Sequence, residues 1–144
     1  MSPQEPDRKT ALIGVTAVLF GVVALFCTTV TTVLRIATRG ESLERTGWDL
    51  HGPALPLLAI LAAGLLPIAL RGSAVAAIGI LCAGLATIGI TAIGDLPQIG
   101  SNGAVGPLLL AGVVRAGPGA YLEALGAILL MFGGGLLAIN RRRP

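Results

Sequence analysis

The sequence predicts an all-α fold: an integral membrane four-helix bundle with both termini on the inner side and two outer loops. Three observations carry this. Of 144 residues, 54% are hydrophobic and only 12% charged, whereas a water-soluble domain carries charge on about a quarter of its residues. The mean hydropathy is +0.88. The apolar residues gather into four stretches near the ~20 residues that a helix needs to cross the hydrocarbon core. They fill one transmembrane domain over residues 11–140, flanked by a polar tail at 1–10 and a basic tail at 141–144.

The tail MSPQEPDRKT is polar and bears two prolines, which suits disorder or the head-group region. The first apolar helix is expected at about residues 11–35. Its apolar run is too long for a secretory signal and is closed by no small-x-small cleavage site, so it reads as an uncleaved span. The second helix, about 54–70, is the shortest, with Pro56 tolerable in its first turn and Pro67 expected to kink or end it. The third runs over about 73–94 and the fourth over about 119–140.

Basic residues near the helix ends set the orientation. Arg8, Lys9, Arg71 and Arg141 to Arg143 fall on one side, against Arg35, Arg39, Arg45 and Arg115 on the other. The excess predicts cytoplasmic termini and residence in the plasma membrane. The formal net charge of +3 comes mainly from the terminal arginines. Such a basic flank suits lipid phosphates and not nucleic acid, which asks for Lys and Arg spread over a face.

Two loops then lie outside. Residues 36–53 hold near-cancelling charges with Trp48, read as an interfacial anchor, and His51, a lone histidine read as exposed or capping. The second loop, 95–118, is long and apolar; its 104–118 segment could be re-entrant, interfacial or a lid. Cys27 and Cys82 lie in apolar runs without a CxxC spacing and read as small buried side chains.

Small and polar residues form the most regular patterns. The first helix carries Gly14, Ala17, Gly21, Ala24, Thr28, Thr31 and Arg35 at heptad a and d positions. In lipid such a seam lets backbones approach closely. Its favoured use is packing within the bundle; the alternatives are a subunit interface or a path lined by threonines. The fourth helix repeats Gly119, Gly126, Gly133 and Asn140 every seven residues, with Glu123 between the first two glycines. The third carries an i, i+4 ridge of Gly79, Ala83, Thr87 and Thr91 before Asp95, which is expected to end the helix ahead of a proline turn.

An ionisable side chain in a span is expensive and usually partnered. Matching depths predict that Arg35 pairs with Glu123, with Arg115 as the rival partner and Asp95 as the remaining carboxylate at that boundary. No P-loop, dinucleotide fingerprint, HExxH or nucleophile elbow occurs, since the GSNG at residues 100–103 is a turn sequence. No cofactor and no metal are therefore expected, and enzyme activity is not.

The pattern of four short Gly/Ala-rich spans, ending in AGPGAYLEALGAILLMFGGGLL, resembles small uncharacterised four-span membrane proteins of high-GC actinobacteria. The arrangement is also similar to the claudin-type tetraspan, without the paired loop cysteines and tryptophan cluster that would carry over a barrier function. The expected role is a structural or accessory subunit packing in the bilayer against copies of itself or a larger membrane protein. A homo-oligomeric channel or transporter with a polar path near Arg35 and Glu123 is the alternative, and a lipid-modifying enzyme the third.

Overall fold

A computed structural model describes residues 8–37, 42–97, 99 and 113–140. Four long apolar helices dominate it: α1 (Arg8–Val30), α3 (Ala54–Leu70), α4 (Ala74–Ile90) and α5 (Pro118–Asn140). A five-residue helix α2 (Gly47–His51) and strands β1 (Thr32–Ala37), β2 (Ser42–Thr46) and β3 (Val113–Ala116) complete the fold, so it is mostly helical and not all-α. Of the helices, α1, α4 with its extension to Asp95, and α5 are long and apolar enough to cross a membrane, and α3 is shorter.

The first helix departs most from expectation. It starts at Arg8, inside the expected polar tail, and stops at Val30, five residues before Arg35. The chain then becomes β1, because all six residues of the run Thr28–Val33 are β-branched and such side chains fit a pleated surface better than a helix. Hydropathy does not mark that change, since β1 stays largely apolar despite Arg35.

The sheet has strand order β2-β1-β3, both pairs antiparallel. The register shift between Thr32 and Leu34 lets the neighbouring Val33 and Leu34 both be buried. With Ile36, Val114 and Ala120 they make a small second core between the sheet and the start of α5. Of the expected first loop, 36–37 belong to β1 and 42–51 to β2 and α2, while 38–41 lie outside the described residues. Of the 104–118 segment, Val113–Ala116 is a sheet strand and residues 117–118 lead into α5, while 104–112 lie outside the described residues. Arg39 and Arg141 to Arg143 also lie outside them.

The helices pack in the order α1–α5–α4–α3, with α3 closing back on α1 and the α1–α5 interface the most extensive. Small residues set the spacing. A Cβ at Gly21 would stand 2.9 Å from the Gly126 carbonyl oxygen, and one at Gly133 would stand 2.7 Å from that of Gly14. The Gly14 and Gly21 face of α1 is therefore occupied by the Gly126 and Gly133 face of α5, while Thr28, buried, stands against Gly47 of α2 and Thr31 sits half-buried at the helix end. The main core gathers Val18, Leu25, Ala59, Ile80, Leu130 and Leu137. Ser73 caps α4 by accepting from the Ala76 amide at 3.2 Å. Pro67 lies inside α3, which continues for one further turn to Leu70. Cys27 and Cys82 are exposed on outer helix faces, not buried.

Candidate functional site

Beside the sheet, where α2, the far end of α4 and the start of α5 meet, three buried or nearly buried ionisable side chains, His51, Asp95 and Glu123, come together. The site is built from three separate segments. Thr46 and Asp49 form a capping box, each side chain bonding the other's backbone amide, and this fixes the short helix α2. The Thr46 amide, donating to Asp49 Oδ2 at 3.0 Å, and then the Thr46 hydroxyl, donating to the same oxygen at 2.8 Å, hold the Asp49 carboxyl below its ordinary 3.8. His51 ends α2, and Gly52, at φ 54°, turns the chain into α3.

Asp95 arrives from α4 through a π-helical turn, Thr91–Asp95, that widens the last turn of the helix. Glu123 comes from the second turn of α5, whose start is drawn against the α1–β1 junction. There the Gly117 amide donates to the Val33 carbonyl at 2.7 Å, and a Cβ on Gly119 would stand 3.0 Å from the Thr31 oxygen.

His51 Nε2 lies 3.1 Å from Asp95 Oδ2 and 3.5 Å from Glu123 Oε2. The first distance is a hydrogen bond; the second is an ionic contact beyond good hydrogen-bond reach. Thr91 Oγ1 stands 2.6 Å from Glu123 Oε1 and 3.1 Å from the Thr87 carbonyl. Side-chain exposure is 8% for His51, 1% for Asp95 and 0% for Glu123. The bond to Asp95, then the nearness of Glu123, outweighs desolvation and lifts the His51 imidazole from 6.5 to about 9. Asp95 Oδ1 and Glu123 Oε2 are buried without a hydrogen-bond partner.

The expected residues divide. Asp95 and Glu123 come together, whereas the expected Arg35–Glu123 pair does not form. Arg35 sits on β1, outside the helices, with its Nε 2.9 Å from Glu44 Oε1 on the neighbouring strand. Arg115 lies exposed on β3 opposite Arg35, and makes no ion pair with Glu123. Sequence reasoning missed His51 as a buried member, treating it as exposed or capping, and missed Thr91 as the support of Glu123. Two signals pointed there: the Thr46-x-x-Asp49 box marks the start of a helix that takes in His51, and the Gly79, Ala83, Thr87, Thr91 ridge reaches Asp95 at its next step. No protein-family model matches the sequence, and comparison with curated proteins finds no match, so the reading of this site rests on its own geometry.

Proposed function

We propose that the protein is an integral membrane protein that works through helix packing, as a structural or accessory subunit of a membrane assembly. The observation that carries this is the apolar surface left outside the packed helices. Leu12, Phe20, Leu57, Ile60, Phe132 and Ile139 are each more than half exposed and come from three helices. In water such a girdle would aggregate, whereas acyl chains match it. Helices α1 and α5, at 23 residues each, reach about 34 Å against a hydrocarbon core of ~30 Å.

The glycine seams of α1 and α5 fill one another, so a partner must use other faces. Gly64 on α3 and Gly89 on α4 offer them, since a Cβ at either would meet nothing within 4 Å and a partner backbone has room to approach. The sheet and α2 form the extramembrane cap, tied to the helices through His51. In the orientation the basic residues favour, the cap lies outside the plasma membrane and the α3–α4 turn lies inside. The channel reading is less favoured, because Arg35 stands apart from Glu123, and Thr28 and Thr87 turn their hydroxyls back onto their own helix carbonyls at 3.0 Å.

Single-cysteine variants in a Cys27→Ser, Cys82→Ser background test the reading in sealed cells. Leu43→Cys, in the cap, is expected to react with an impermeant maleimide directly. Arg71→Cys, in the turn, is expected to react only after permeabilisation. Release of the protein from membranes by alkaline carbonate would overturn membrane insertion, and the reverse labelling would overturn the orientation. Native mass in mild detergent then reports a homo-oligomer or a co-purifying larger subunit.

A further inference from the structure

We propose that His51, Asp95 and Glu123 bind one divalent first-row transition cation, Zn²⁺ being the ion their donors fit best. The assignment is independent of the subunit role and begins with geometry. One nitrogen and two carboxylate oxygens from α2, the π turn and α5 lie within 4.8 Å of one another. Donors bound tetrahedrally to zinc at about 2.0–2.1 Å stand about 3.3 Å apart. The His51–Asp95 and His51–Glu123 separations of 3.1 and 3.5 Å bracket that edge.

Charge and hydrogen bonding point the same way. Two carboxylates sit almost wholly buried, and among the described residues His51 is the only cationic partner of either. A singly charged imidazolium leaves one buried negative charge uncompensated, whereas a divalent ion with neutral imidazole makes the cluster neutral. Glu123 Oε2, fully buried and without a hydrogen-bond partner, faces His51 Nε2 and so points into the space between the donors. Thr91, at 2.6 Å from the other oxygen of Glu123, fixes that carboxylate as an outer-shell support would.

The donor set also selects the ion. Calcium and magnesium take oxygen ligands, so an imidazole nitrogen disfavours them, while the absence of a thiolate sets the site apart from soft-metal sites. Three protein donors leave a coordination position for water or an outside ligand. The cysteines take no part, since both are exposed on outer helix faces.

The test uses tag-free full-length protein in mild detergent, stripped with chelator and titrated with Co²⁺ as a spectroscopic substitute for Zn²⁺. We expect one equivalent of Co²⁺, visible d–d absorption of a four- or five-coordinate ion, and displacement by Zn²⁺. His51 is the single histidine of the chain, so imidazole scattering in the Zn²⁺ X-ray absorption spectrum reports this site without any mutation. Glu123→Gln and Asp95→Asn are each expected to weaken Co²⁺ binding at least about tenfold, as is Thr91→Val through its support of Glu123. Absence of imidazole scattering, or binding far below one equivalent, would overturn the assignment on the wild-type protein alone, even if the variants fail to fold. Undiminished binding by folded His51→Gln protein would do so too. A wild type with no absorption band and no rise in melting temperature on adding Zn²⁺ would mean a cluster held by a proton only.

Discussion

Adding one methyl group to α4 at two positions five residues apart should have opposite effects. At Gly84 a Cβ would lie 2.7 Å from the Ala127 carbonyl oxygen and 2.8 Å from the Met131 amide nitrogen, both backbone atoms of α5. At Gly89 it would meet nothing within 4 Å. Restoring ordinary contact at position 84 requires α4 and α5 to part locally by about 0.7 Å, a gap that forfeits a quarter to a half of each contact's dispersion energy. Such overpacking costs about 1–3 kcal/mol. Replacing glycine by alanine within a helix also gains about 0.8–1.0 kcal/mol at either site. Because that gain is common to both, the difference in stability between Gly84→Ala and Gly89→Ala isolates the packing cost, about 1–3 kcal/mol with Gly89→Ala the more stable. Reversible unfolding in mixed micelles, followed by circular dichroism, measures it. The displaced turn also adjoins the site, since Thr91 and Glu123 lie one turn beyond Thr87 and Ala127. Gly84→Ala should therefore weaken Co²⁺ binding while Gly89→Ala leaves it intact. Equal stabilities for the two variants would refute the close helix approach on which the packing argument rests.

Other perturbations reach different parts of the molecule. In chelator-treated protein, His51 is raised from 6.5 to about 9, so its contribution is complete below pH 6.5 and disappears as pH rises through 9. The unfolding free energy should fall over that window by about 2 kcal/mol once screening by nearby water is included; identical curves for wild type and His51→Gln would contradict this. The Arg35–Glu44 pair is half exposed on both sides, so Glu44→Gln should cost less than about 1 kcal/mol by chemical unfolding. The exchange Arg35→Glu with Glu123→Arg should recover nothing, and a double mutant more stable than the sum of the singles would restore the discarded pair. Finally, a Cβ at Gly117 would sit 2.2 Å from the Thr32 oxygen. Gly117→Ala should therefore shift α5 from the sheet and raise amide exchange in β1, and unchanged exchange would count against this junction.

What could be read from the sequence follows from which forces are local. The α3 boundaries, Ala54–Leu70, agree with the expected 54–70 because an apolar run ends on both sides at charged or turn residues. The end of α1 was misjudged because burial of Val33, Leu34 and Ile36 keeps the chain apolar after the helix stops, and only β-branching marks the change. Moving Arg35 from a helix to a strand removed the depth match that had paired it with Glu123. Asp95 and Glu123 stood out because an acid in an apolar helix is conspicuous in one dimension. His51 did not, since it meets Asp95 across 44 positions of sequence and only the folded cap brings them together.

The extensive α1–α5 interface has a consequence for how the protein is made. Its two faces are separated by almost the whole described chain, so the glycine seam of α1 has nothing to fill it until α5 has been synthesised. The cap obeys the same schedule, for β1 gains its β3 neighbour only just before α5 emerges. Until then the small-residue face of α1 stays open, and both the α1–α5 contact and the completed sheet wait on the last segments of the described chain.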